Sequence, residues 1–277
     1  MNIESIVQGY RASCTNSLDI LQTTLLSQLS IDFAEQGIST LWGSFEIKNT
    51  RLIHKMLQQF ARVPLTHANE SEIEELMRVA DDFESLPLHF LKFHGGSDID
   101  EVIGAMDYAT YVHDVEHVIL DNMQFMINRK QNSKSYDKFE TQDMAVEKFR
   151  KFATEKNIHV TLVVHPRKED EGAKLGISSI YGSAKATQEA DLVLIVQSDG
   201  KRKFVEVKKN RYDGTLGYCP LFFDRDSGRY LEQPPGDHKP QAPQLQGFKA
   251  KSAYRQPEEQ KLNGTSNSDH WASMLAP

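Results

Sequence analysis

One decapeptide, His117-Val-Ile-Leu-Asp-Asn-Met-Gln-Phe-Met126, narrows the folds open to this chain more than any other stretch. Val118, Ile119 and Leu120 form an unbroken apolar run, which suits a central parallel strand covered on both faces. Asp121 follows at once and puts a carboxylate at the C-terminal edge of that strand, where open α/β sheets bind ligands. In nucleotide hydrolases an aspartate there holds Mg²⁺ against the terminal phosphates, so the segment reads as a Walker B strand. A buried strand that merely ends in a polar turn has the same pattern, and the surrounding segments decide between the two.

Those segments alternate between helical and strand periodicity. Leu25, Leu29 and Phe33 recur at helical spacing from Thr23 until Gly37, and residues 39–43 follow as a short strand. Leu52, Ile53, Met56, Leu57 and Phe60 mark an amphipathic helix closed by Pro64. Asn69 or Ser71 caps an acidic helix through Phe83, with its carboxylates where the helix dipole favours them. Residues 88–93 read as a strand entered through Pro87, and Ser97 caps a helix to about Tyr111. After the Asp121 strand come a basic loop over 128–138, a helix through Phe149 and Phe152, and an apolar strand at 158–164 that ends in His165. Strands at 192–196 and 203–207, with a further one at 221–223, crowd the end of this region. The order predicts an α/β fold: a mostly parallel sheet flanked by helices, with a β-rich C-terminal edge.

The chain's 277 residues suffice for one large α/β domain without covalent staples. Its two cysteines, Cys14 and Cys219, have no CxxC spacing, which argues against a disulfide framework or a cysteine zinc site and for a reducing compartment. No apolar run approaches the roughly 20 residues that span a bilayer, so a soluble protein is expected. The N-terminus shows neither an Arg-rich transit segment nor a secretory apolar region. A net charge of -7 argues against a generally basic nucleic-acid coat, though not against a basic patch confined to one channel. From about Gln233, Pro234, Pro235, Pro240 and Pro243 break any element among Gln, Lys, Ser and Asn, so 233–277 reads as a disordered tail.

Four strand ends carry polar groups that a parallel sheet would gather along one edge. Glu46 follows the strand at 39–43, Asp121 ends its own, His165 follows 158–164, and Lys209 with Arg211 follow 203–207. A metal ligand, a general base, a phosphate-sensing imidazole and cations for transition-state charge would then meet one nucleotide. Each has a plainer reading: Glu46 as a solvated turn residue, His165 as a hydrogen-bonded structural group, Lys209 and Arg211 as an exposed turn before Gly214.

Six segments carry a resemblance. Thr40-Leu-Trp-Gly-Ser-Phe-Glu-Ile47, the decapeptide 117–126, Phe149-Arg-Lys-Phe-Ala-Thr-Glu-Lys156, His159-Val-Thr-Leu-Val-Val-His-Pro-Arg-Lys-Glu-Asp170, Tyr181-Gly-Ser-Ala-Lys-Ala-Thr-Gln-Glu-Ala-Asp191 and Val207-Lys-Lys-Asn-Arg-Tyr-Asp-Gly214 stand in order over about 23–230. They resemble the Twinkle family of mitochondrial replicative DNA helicases, relatives of the phage T7 helicase-primase and of bacterial hexameric replicative helicases. The resemblance implies a RecA-like P-loop NTPase fold over 23–232, preceded by a non-matching segment 1–22. It implies an ATP- and Mg²⁺-dependent 5′-3′ helicase motor in the mitochondrial matrix and nucleoid, acting on single-stranded and forked DNA as a homo-oligomeric ring of six or seven subunits.

The resemblance also implies roles. Glu46 would polarise the attacking water, Asp121 with Thr23 would ligate Mg²⁺, and Thr23 and Thr24 would contact ATP. His165 would sense the γ-phosphate, Lys209 and Arg211 would reach into the neighbouring subunit's site, and Gln188 would relay between nucleotide and DNA. Arg129, Lys130 and Lys134 after the Asp121 strand, and Arg167, Lys168 and Lys174 after His165, would contact DNA from loops facing the ring bore, since clustered cations in an acidic chain suit a single-strand channel.

One element departs from the family pattern. The G-x-x-x-x-G-K-[ST] loop, whose backbone N–H groups cradle phosphates, should precede the first helix. Here that segment reads Asn16-Ser-Leu-Asp-Ile-Leu-Gln22, without glycine and with Gln22 where the lysine would stand. The family's primase-like half and linker helix have no counterpart in the sequence, and residues 1–22 suggest an alternative start, a mis-joined exon or a truncated gene. Two other readings follow: a catalytically silent RecA-like DNA-binding or ring subunit, and a RecA-type recombinase. The recombinase fits less well because His165-Pro-Arg-Lys and Gly182-Ser-Ala-Lys-Ala look specific to ring helicases.

Overall fold

The computed structural model describes residues 18–65, 70–93, 96–127, 135–166, 174–180, 185–199, 202–232 and 275–276. Its centre is the strand pair that the apolar runs demand. β1 (Thr40–Ser44) and β3 (His117–Asp121) are buried at every position and run parallel, with Ser44 opposite Asp121. β2 (Leu88–Leu91) pairs with the far side of β1 and β4 (His159–Leu162) with the far side of β3, both parallel. The order is β4-β3-β1-β2, and β9 (Leu275–Ala276) adds an antiparallel edge beside β2.

Alternation along the strands feeds two apolar layers. Leu41, Phe45, Val118 and Leu120 pack with Val102, Ala105, Met106 and Ala109 of α4 (Ile99–His113) and with Val146, Phe149 and Phe152 of α6 (Ser135–Lys156). Trp42, Phe90 and Ile119 point the other way, onto Leu52, Met56 and Phe60 of α2 (Asn49–Ala61) and Leu76, Ala80 and Phe83 of α3 (Glu70–Glu84). Ile31 of α1 (Leu18–Ala34) joins this second layer, and Trp42 donates its Nε1–H to Ser30 Oγ at 2.8 Å. Gly43 has no room for a side chain: a Cβ there would lie 2.8 Å from Leu120 Cδ2 and 3.0 Å from Phe45 Cε2.

The remaining strands supply the expected β-rich C-terminal edge as an antiparallel sheet of their own. β5 (Leu192–Asp199), β6 (Arg202–Asn210), β7 (Gly217–Asp224) and β8 (Arg229–Leu231) follow one another antiparallel in the order β5-β6-β7-β8. The connections between them are too short to return a strand parallel to its predecessor, which dictates a meander. Helix α1 covers this sheet through Leu21, packed with Val196 and Tyr230. Gln28 meets the β8 backbone with both amide atoms, donating to Tyr230 O at 3.1 Å and accepting from Tyr230 N at 2.7 Å. The buried guanidinium of Arg229 donates to Asp32 Oδ1 at 2.5 Å and Gln59 O at 3.3 Å, which ties β8 to α1 and α2.

Several boundaries differ from the expected ones. The first described helix, Leu18–Ala34, already covers the residues ahead of Thr23. The cap of α4 is Asp98, whose carboxylate accepts from Asp100 N and Glu101 N, rather than Ser97. Two short helices, α5 (Met123–Ile127) and α7 (Lys185–Glu189), and the strand β8 carried too little periodicity to be read from so few residues. Pairing of Leu275–Ala276 with β2 replaces the expected disorder at the end of the tail, while 233–274 lie outside the described residues. Among the described residues no helix is long and apolar enough to cross a membrane.

Candidate functional site

The C-terminal ends of β1, β3 and β4 meet as the sequence pattern expected. Glu46 stands two residues beyond β1, Asp121 closes β3, and His165 lies three residues beyond β4. Phe45 N donates to Asp121 O at 2.7 Å, which locks the turn carrying Glu46 against the end of β3. Asn122, fully buried after a cis Asp121–Asn122 peptide, joins the other two groups. Its Nδ2 donates to Glu46 Oε2 at 2.5 Å and lies 2.9 Å from His165 Nε2, while Glu46 Oε2 and His165 Nε2 are 3.5 Å apart. Gln124 holds the backbone of His165 from both sides, donating to its O and accepting from its N, each at 3.2 Å.

Helices α1 and α2 close the other side. Thr23 Oγ1 donates to Asp121 Oδ2 at 2.6 Å, and both residues are buried. Lys55 of α2 donates from Nζ to Thr24 Oγ1 at 2.7 Å. Gln59, one turn further along α2, donates to Thr24 O and Gly228 O, both at 2.9 Å, and accepts from Ser27 Oγ at 2.8 Å. Burial pushes the Asp121 carboxyl up to about 6; the Thr23 hydrogen bond pulls it back, Glu46 adds to the rise, and His165 and Lys55 oppose it. A buried carboxylate beside a hydroxyl oxygen is a pair of hard donors that suits Mg²⁺, which takes one or two protein oxygens and completes its shell with water and phosphate. Among the described residues no cluster of three His, Cys, Asp or Glu forms an all-protein metal cage.

The fourth expected strand end does not join this cluster. Lys209 and Arg211 leave an antiparallel strand of the second sheet and turn onto α7. Lys209 Nζ donates to Thr187 O at 2.7 Å and Gln188 O at 2.9 Å, and Arg211 donates to Gln188 O at 2.6 Å and Asp191 Oδ1 at 3.1 Å. Gln188 thus enters through its carbonyl. Arg150 of α6 also bonds Asp191 and, with Arg211, holds that carboxyl below its usual range. Lys174 lies 3.3 Å from Glu206 Oε1, whereas Arg129, Lys130, Lys134, Arg167 and Lys168 lie outside the described residues.

Asn122, Gln124 and Lys55 were not singled out in the sequence, although two of them left a mark. Asn122 directly follows the strand's aspartate, and Lys55 interrupts the apolar stripe formed by Leu52, Met56 and Phe60.

A parallel sheet flanked by helices, with a buried aspartate, a glutamate and an imidazole gathered at its C-terminal edge, is an α/β domain of RecA-like fold. The chain belongs to the AAA domain family, whose model matches residues 17–171. Two solved structures share its fold. One, the ATPase domain of a larger protein, superposes with a TM-score of 0.66 at 14% identity over 76% of this chain and 80% of that one. The other, a DnaB-like replicative helicase solved in a study of its interactions with primase, gives a TM-score of 0.64 at 14% identity over 78% of this chain and 55% of that one. The chain therefore spans about half the length of the second protein.

Proposed function

We propose that this chain is the ATP-hydrolysing motor domain of a replicative DNA helicase of the Twinkle type, which unwinds DNA with 5′-3′ polarity in mitochondrial DNA replication. The observation that carries this reading is the junction of Glu46, Asn122 and His165 beside Asp121 at one sheet edge. Thr23 and Asp121 would hold Mg²⁺, which supplies charge stabilisation to the phosphates when bound. Glu46 orients the attacking water and takes its proton. Asn122 keeps that carboxylate in place and links it to His165, so a change of charge at the γ-phosphate position reaches His165 through one amide. Gln124 then transmits the movement to the His165 backbone, which leads directly into the segment of Arg167 and Lys168.

Lys209 and Arg211 project from a different sheet, which suits groups that complete a neighbour's site in a hexameric or heptameric ring, with Gln188 as the backbone link between them. Single-stranded DNA is assigned to the loops of Arg129, Lys130 and Lys134 and of Arg167, Lys168 and Lys174, and the mitochondrial nucleoid is the assigned location. The test is ATP turnover with and without single-stranded DNA, using Glu46→Gln as the control. DNA-stimulated turnover abolished by that substitution supports the motor reading, and strand displacement on a 5′-tailed fork tests polarity.

A second reading, a catalytically silent ring subunit, has its own supporting observation. Because Leu18 already lies in α1, the backbone N–H groups of Gln22, Thr23 and Thr24 fall beyond the first helical turn, where they bond within the helix instead of pointing at a ligand. DNA binding without turnover would favour this reading.

A further inference from the structure

We propose that Lys55 is a phosphate-binding residue of this site, its ammonium taking a terminal phosphate oxygen of the bound nucleoside triphosphate from the α2 side. The inference rests on the nucleotide reading above and adds the group that supplies the missing charge. A triphosphate needs a fixed cation, and the segment before Thr23 offers Gln22 in its place. The geometry points to α2. Lys55 is partly buried one turn before the wholly buried Gln59, and Gln59 fixes Thr24 through the Thr24 carbonyl. The Lys55 Nζ is drawn to Thr24 Oγ1 at 2.7 Å, directly beside the Thr23–Asp121 pair.

An ammonium has three N–H donors. Thr24 takes one, and among the described residues Lys55 forms no ion pair with a carboxylate, so two donors remain for a ligand. The Lys55 charge is also felt by Asp121. Burial lowers its pKa to about 8, with Asp121 opposing the shift, which leaves it charged at neutral pH. A partly desolvated cation, held by one hydroxyl and next to two hard oxygen donors, matches a phosphate oxygen that also reaches Mg²⁺.

The test is equilibrium binding by the full chain of ATP, inorganic tripolyphosphate and AMP in the presence of Mg²⁺, compared across wild type, Lys55→Met and Lys55→Arg. Lys55→Met is expected to weaken ATP and tripolyphosphate by about tenfold to a hundredfold while AMP binding stays within about twofold, and Lys55→Arg to retain most of the affinity. Should Lys55→Met fail to fold, Lys55→Gln carries the same comparison, because its amide can still donate to Thr24. Equal ATP affinity in wild type and the neutral variants overturns this inference and leaves the nucleotide reading intact. Absence of ATP binding by the wild type overturns both.

Discussion

The two polar clusters of this molecule solve opposite problems. At the end of the parallel sheet, Asp121, Thr23 and Asn122 are buried, and each is held by a partner from a different element. At the end of the antiparallel sheet, Lys209, Arg211 and Asp191 are half-buried or exposed, and their contacts run between α6, α7 and the end of β6. Buried groups cannot trade partners without leaving a donor or carboxylate unsatisfied, which costs about 1–3 kcal/mol each. Exposed ion pairs exchange with water at roughly 0–1 kcal/mol. The first cluster is thus built to stay where it is, and the second to let go. On the proposed motor function, a fixed edge and releasable cations are what a site shared between subunits would require.

The largest effect that separates the two is chemical. Glu46→Gln keeps the Asn122 contact in shape and removes the proposed base, so on the proposed function turnover should fall by about 10²- to 10⁴-fold with little change in melting temperature. A comparable loss from substituting Asp191 instead would erase the distinction.

Acid comes next. Burial, with His159 adding to it, depresses His117 to about 4, and burial with the stacked His113 does the same to His89, the ring centroids of His89 and His113 lying 4.2 Å apart. In the unfolded chain these imidazoles bind protons near 6.5, so protonation favours unfolding. Their contribution is fully present above that value and is lost as pH falls through about 4. Buried His117 should account for on the order of 3 kcal/mol, measured by denaturant titration across this window. Substituting His117 with glutamine should flatten the profile.

A smaller change is expected from Gly43→Ala, which forces a methyl to within 2.8 Å of the fully buried Leu120 side chain and should cost about 1–3 kcal/mol. Smallest is Asp191→Asn, which loosens Arg150 and Arg211 and should lower stability by less than about 1 kcal/mol. If it proves as costly as Gly43→Ala, the second cluster is a rigid strut and not a releasable one.

Legibility in the sequence followed the same division. Val118-Ile-Leu-Asp announced β3 because burial on both faces leaves no room for polar residues, and Glu46 and His165 were found from where their strands end. The β-rich C-terminal edge was legible too, but the placing of Lys209 and Arg211 on the parallel sheet's edge was not, since an apolar run does not say which neighbour it hydrogen-bonds. The Asp199-Gly200 dipeptide was the available hint in the sequence, being a pair that favours a hairpin over a parallel return. Lys55 escaped notice because its importance depends on α1 and α2 packing side by side through Gln59, a contact between residues 35 positions apart.

On the proposed function, the edge of the parallel sheet is a Mg²⁺-nucleotide site. Calorimetric titration of ATP into the full chain, with and without Mg²⁺, on wild type and Asp121→Asn, tests it most directly. Mg²⁺-dependent binding is expected of the wild type, and loss of that Mg²⁺ dependence of Asp121→Asn. Identical, Mg²⁺-independent titrations of the two proteins would contradict it.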